Sequence, residues 1–227
     1  MIKKLVNTII SAVMAAILIQ APVQAKESLV KNPLSTESKT IYIGDSRTVG
    51  MYFSVQNDSY REEIKTYDDN GDYWCAKVGA GYTWFSENFD EAVKEAEKGD
   101  TVVVLMGVND CRDLKKSTNY ADFLNERIDA LNALGIDLVY VSVNPISKDT
   151  IYSTVNKNVL DWNDQIINLL DEDITYLDIY AIIKDKIEYA GDGLHYQNST
   201  YKDLYEVINE KLAVIKDGIK IKPLSRL

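Results

Sequence analysis

Among 227 residues there is one histidine, His195, three places after an acid in the run Asp192, Gly193, Leu194, His195. An unperturbed imidazole titrates at about 6.5, so it can take a proton from a hydroxyl near neutral pH and return it later. Any histidine-dependent chemistry in this chain passes through His195. A serine hydroxyl becomes a useful nucleophile when such a base lies against it and a carboxylate holds the ring. Asp192 is the nearby carboxylate, and Ser46, in the run Gly44, Asp45, Ser46, is the candidate hydroxyl. Two further runs carry backbone freedom or side-chain amides: Val78 to Thr83, with Gly79 and Gly81, and Gly107, Val108, Asn109, Asp110.

Some 150 residues separate the serine from the histidine, so a fold must bring them together. Thr40 to Ile43 reads as a short strand ending at Gly44, and Thr101 to Met106 is an unbroken apolar run of the kind buried on both faces of a parallel sheet. Asp137 to Val143 is a third strand, Ile174 to Ile179 a weaker fourth, and another falls somewhere in Ile64 to Val78. Between them, apolar residues recur at helical spacing: Phe89, Ala92, Val93 and Ala96; then Tyr120, Leu124, Ile128 and Leu131, with Gly135 as the stop. Val159, Trp162, Ile166 and Leu170 mark a third helix. Tyr201, Leu204, Tyr205, Ile208, Leu212 and Ile215 mark a fourth, which Thr200 and Asp203 are placed to cap. Alternating strands and helices predict an α/β fold, a three-layer α/β/α sandwich around a mostly parallel sheet. Ligands bind such sheets beyond the carboxyl ends of the strands. Ser46, Asn109 and Asn144 each follow a strand, and the Asp192–His195 run precedes the last helix. The groups capable of chemistry are therefore expected on one edge.

In this order the runs resemble the blocks of the SGNH, or GDSL-type, esterase and lipase family. Gly44, Asp45, Ser46 match its first block, Gly107, Val108, Asn109, Asp110 its third, and Asp192, Gly193, Leu194, His195 its last. The resemblance spans roughly residues 39 to 216 and implies a flavodoxin-like SGNH hydrolase fold. It implies Ser46 as nucleophile, His195 as general base and Asp192 as orienting carboxylate, a duty that Asp45 could share. The oxyanion donors it implies are the Ser46 amide, the Asn109 side chain and the amide of Gly81, with Gly79 as the alternative. The Gly-x-Ser-x-Gly elbow of α/β-hydrolases is absent, since Thr48 stands two places after Ser46.

Other residues have two readings each. Arg47 and Asn144 are candidates to touch substrate, Arg47 alternatively making a surface ion pair. Trp74 and Trp84 flank the glycine run and either stack on a sugar face or pack internally. Asp110 holds its loop rather than touching substrate. Asp68, Asp69, Asn70, Gly71, Asp72 has its glycine at the wrong step for a calcium loop and reads as a turn. Cys75 and Cys111, the whole cysteine inventory, form one disulfide or remain two thiols. Neither a metal site nor a cofactor is expected.

With 46% hydrophobic and 26% charged residues, the composition is that of a folded globular chain. Residues 1–25 read as a secretory signal: Lys3 and Lys4, an apolar stretch from Leu5 to Ile19 too short to span a membrane, then Val23, Gln24, Ala25 as a cleavage site. Residues 26–38 read as a polar linker and 39–227 as one domain. The expected location is outside the cell or at the wall, without stable membrane insertion. A formal charge of −10 disfavours nucleic acid and anionic lipid as partners. No insertion is long enough for a lid. A small acyl ester is the expected substrate, O-acetyl on polysaccharide in particular; an acyltransferase or an inactive carbohydrate-binding protein are the alternatives.

Overall fold

The structure, a computed structural model, describes residues 38–216. The expected leader and nearly all of the linker lie outside the described residues. Strands β1 (Thr40–Gly44), β2 (Glu63–Tyr67), β3 (Tyr73–Lys77), β4 (Thr101–Leu105), β5 (Asp137–Val141) and β6 (Thr175–Leu177) form one sheet in the order β2-β3-β1-β4-β5-β6. Only β2 runs antiparallel, against β3; the other pairings are parallel. In register, Ile43 lies beside Cys75 on one side and Val104 on the other.

Because successive strand side chains point to opposite faces, each apolar run feeds two cores. Ile41, Ile43, Val102, Val104, Leu138 and Tyr140 face one layer, and Tyr42, Val103, Val139 and Val141 face the other. Three helices pack on the first face: α2 (Tyr82–Val93) through Phe85 and Phe89, α3 (Leu114–Asn125) through Tyr120 and Leu124, and α5 (Asn156–Leu169) through Val159, Trp162 and Ile166. The short α4 (Ile128–Leu134) adds Ile128 and Leu131. The second face is covered by α1 (Ser46–Val55), α6 (Ile179–Ile183) and α7 (Asn198–Lys216). This is the three-layer α/β/α sandwich expected from the alternation. Each wholly buried valine of β4 contributes on the order of 2 kcal/mol by leaving water.

Four details differ from the sequence reading. The loosely placed strand within Ile64 to Val78 is a hairpin, β2 and β3, whose turn is the Asp68–Asp72 run: the Asp68 carboxylate accepts from the amides of Asn70 and Asp72. The helix read through Tyr120 to Leu131 is two, because the Arg127 side chain folds back to the Phe123 carbonyl and to Asp90. β5 stops at Val141, and the buried Asn163 amide takes over both main-chain groups of Val143. Thr200 does not cap the last helix, which begins two residues earlier; its hydroxyl accepts from the Glu188 amide.

Between β1 and β4 the chain reverses the direction in which it adds strands, moving first outward to β2 at the margin, back to β3 beside β1, and then across β1 to β4. The loops leaving these two strands, with Ser46 and Asn109, therefore flank the crevice of a topological switch point.

Candidate active site

Asp45 leaves β1 in extended conformation and caps α1, its carboxylate accepting from the Arg47 amide at 2.9 Å. That places Ser46 at the first helical position, where backbone N–H groups lack helical partners and the helix dipole is positive. Its hydroxyl lies 2.8 Å from His195 Nε2. On the far side of the ring, Nδ1 is 2.5 Å from Asp192 Oδ2. Asp192 is locked in turn, because its Oδ1 accepts from the amides of both Leu194 and His195 at 2.9 Å. Burial raises the Asp192 carboxyl, but the hydrogen bonds from the His195 ring and these two amides outweigh it and hold its pKa below the ordinary value. Asp192 is thus an anion at neutral pH. Nδ1–H donates to it, which leaves Nε2 free to accept the serine proton.

The other wall of the site is made of two loops stitched together. Lys77 to Ala80 is a tight turn closed by the Ala80 amide on the Lys77 carbonyl, and Gly79 takes φ +74° within it. Gly81 sits at the start of α2, so close to the Asp110 carboxylate that a Cβ there would lie 2.9 Å from an oxygen. The two glycines thus have different duties: Gly79 turns the chain and Gly81 permits the approach. Asn109, exposed, donates to the Ala80 carbonyl at 2.8 Å. Asp110 is buried and accepts from the Tyr82 amide at 2.7 Å, the Tyr120 hydroxyl at 2.9 Å and the Lys116 ammonium. It therefore caps α2 from a distant loop, a duty that Gly81, lacking a side chain, cannot perform. The Asn109 amide carries a second hydrogen besides the one given to Ala80.

No protein-family model matches the chain, and no curated protein matches it in sequence. Solved structures do. A GDSL-like lipase from Bacteroides thetaiotaomicron superposes with a TM-score of 0.57 at 18% identity, covering 81% of this chain and 92% of that one. The C-terminal catalytic domain of peptidoglycan O-acetyltransferase A from Streptococcus pneumoniae gives 0.52 at 19% identity, with 79% and 95% covered. An acetyl xylan esterase variant from Geobacillus stearothermophilus gives 0.50 at 14% identity, with 82% and 97% covered. The fold is that of the SGNH hydrolases.

Within this fold two of the candidate substrate contacts, Arg47 and Asn144, are buried, and the two tryptophans differ from each other. Arg47 is 6% exposed, and its guanidinium is spent on main-chain carbonyls. Asn144 is 5% exposed; its carbonyl accepts from Arg47, and its Oδ1 is buried without a hydrogen-bond partner. Both residues line, with Asp45, a cavity of about 20 Å³, room for about one water. Burial pushes the Asp45 carboxyl up to about 6 against the pull of Arg47. Trp84 is half-buried, with its indole donating to Glu63 of the sheet's edge strand. Trp74 is wholly buried and stacks on Tyr42, so it offers no face to a sugar.

Cys75 and Cys111 are separate thiols, both buried; burial raises the first to about 11 and the second to about 12. Neither is a nucleophile at neutral pH.

One element at the site was missed from sequence. The loop from Ile146 to Asn156 is pinned at its ends by the Asn156 amide, which bonds both the N–H and the carbonyl of Ile146. It lies against the acid's turn through Ser147 N–H to the Gly193 carbonyl and Ile151 N–H to that of Asp192. Ser153 accepts from Arg112, two residues beyond Asp110. Ile151 and Tyr152 are 75% and 45% exposed there. The only sequence signal for it was the polar interval between β5 and α5.

Proposed function

We propose that the chain is an exported serine esterase that hydrolyses short acyl esters, O-acetyl groups on polysaccharide above all. The observation that carries this reading is the unbroken chain Asp192 Oδ2, His195 ring, Ser46 Oγ, with links of 2.5 and 2.8 Å. In that reading His195 Nε2 takes the hydroxyl proton as Ser46 Oγ attacks the ester carbonyl. The oxyanion is met by the amides of Ser46 and Gly81 and by the Asn109 side chain. Collapse of the tetrahedral intermediate expels the alcohol, which takes the proton back from His195 and leaves acyl-Ser46. Water, deprotonated by the same imidazole, then releases the acid and restores the serine.

Three further points support the substrate class. The acetyl xylan esterase and the peptidoglycan O-acetyltransferase among the structural neighbours act on what their names state, and export would bring this chain to such polymers. A domain with no lid-length insertion suits small acyl groups. Exposed Ile151 and Tyr152 beside the acid's turn offer apolar contact that the wholly buried Trp74 does not. The transferase reading shares every residue and differs in what attacks the acyl-enzyme, as the O-acetyltransferase neighbour illustrates. An intact hydrogen-bonded chain counts against a binding-only protein.

Labelling with a fluorophosphonate probe tests the nucleophile: the wild type should react, while Ser46→Ala and His195→Ala should lose about 10⁶-fold in kcat, Ser46→Ala losing all label. Acetate release from acetylated xylan and acetylated peptidoglycan, beside p-nitrophenyl esters of rising chain length, tests the substrate. Best turnover on long chains would overturn it, and acetyl transfer to an added sugar acceptor would select the transferase.

A further inference from the structure

Asp192 and His195 belong to one turn, so their hydrogen bond orients the ring within that turn and says nothing about where the turn stands relative to Ser46. Something else must set the distance between base and nucleophile. Arg47 follows Ser46 directly, and its side chain reaches back across the fold to both neighbours of His195. Nε and Nη2 donate to the Leu194 carbonyl at 3.2 and 2.9 Å. The Tyr196 ring lies 4.7 Å from the guanidinium carbon. Nη1 and Nη2 also donate to the carbonyls of Asn144 and Pro145 at 2.8 and 3.0 Å. The Tyr196 hydroxyl donates to that same Pro145 carbonyl at 2.6 Å.

A buried guanidinium is costly unless its donors are satisfied. Here the satisfying partners are carbonyls from loops 97 and 147 residues away. A hydrophobic side chain would fill the same space without that cost, but it would leave the carbonyls unpaired and the turn untethered. We propose that Arg47 is a positioning residue: one planar group, anchored beside the nucleophile and bracketing His195 on both sides, fixes the imidazole against the Ser46 hydroxyl. Lysine cannot substitute, because an ammonium is a single point of charge and does not span three carbonyls in one plane.

This rests on the Ser46–His195 reading, so the test separates the two. Arg47→Lys and Arg47→Met are compared with wild type in kcat and KM on a short-chain p-nitrophenyl ester, below each variant's unfolding temperature. The proton NMR signals of the sole imidazole are recorded alongside. A displacement of about 1 Å at the reacting atoms costs on the order of 10²-fold, so kcat should fall by about that factor with KM within about twofold. The imidazole signals should move in the direction they move in Ser46→Ala. Raised KM at unchanged kcat would make Arg47 a substrate contact and overturn the proposal, as would unchanged kcat and imidazole signals in folded variants. Should Arg47→Met not fold, Arg47→Lys and Tyr196→Leu, which removes the ring under the guanidinium, carry the same comparison. If the wild type takes no fluorophosphonate label, the serine reading fails; the imidazole signals still decide whether Arg47 places the ring, since they need no turnover.

Discussion

The two walls of the crevice are built on opposite plans. The base side is local: Asp192 holds the His195 ring and two amides of its own turn, all within four residues. The side proposed to hold the oxyanion is assembled from afar, with Asn109 and Asp110 reaching 29 and 28 residues to Ala80 and Tyr82. A local unit carries its geometry wherever the turn goes, while a stitched one has its geometry only when the whole layer is folded. Chemistry and stability should therefore be separable on the base side and entangled on the oxyanion side.

The largest effect that sharpens this contrast is Asp192→Ala. Losing the orienting carboxylate should cost about 10⁴-fold in kcat, while the half-exposed turn loses only about 1 kcal/mol of stability with its two amide bonds. Equal losses of activity and folding there would break the distinction. Next come the stitches. Asn109→Ala removes an oxyanion donor and should lower kcat by about 10²- to 10³-fold. Asp110→Ala touches no reacting atom, but it strands the Tyr82 amide and the Tyr120 hydroxyl and should lower stability by about 3 kcal/mol, with a smaller fall in kcat than Asn109→Ala. Thermal unfolding beside steady-state kinetics reads both; an Asp110→Ala protein as stable as wild type would show that the layer does not depend on the stitch.

The last effect leaves the reaction aside and concerns the pH dependence of stability through buried Asp45. Its pKa in the folded chain is about 6, above the unfolded value of about 3.9, so the folded state binds this proton more tightly. The resulting penalty is complete above pH 6, shrinks as pH falls through that value, and is gone below about pH 4. Two pKa units correspond to about 3 kcal/mol. Denaturant unfolding of wild type relative to Asp45→Asn should show wild type gaining that amount between pH 7 and pH 4. A flat difference would mean that the Asp45 carboxylate is as well solvated as in the unfolded chain.

The same contrast explains what could be read in the sequence. The Asp192–His195 unit was legible because spacing alone puts the two side chains on one turn. The strands around Val103 and Val139 were legible because a strand buried on both faces is apolar throughout. Arg47 was not: its partners are carbonyl oxygens, which every residue has, so no spacing marks them. Trp74 and Trp84 looked alike beside the glycine run, and only the hairpin, with its polar alternation at Glu63 and Lys65, buries one and draws the other to the sheet's margin. The break at Arg127 escaped notice because the apolar periodicity runs on through it.

The hairpin also bears on how this molecule behaves in company. A sheet with a free margin invites a second chain to add a strand. Here one outermost strand, β6, has three residues, and the other, β2, alternates exposed Glu63, Lys65 and Tyr67 with interior positions, Glu63 paired with Lys77 and Lys65 with Asn88. Among the described residues shortness guards one margin and charge the other, so neither strand offers a ready template from which a second chain could propagate the sheet.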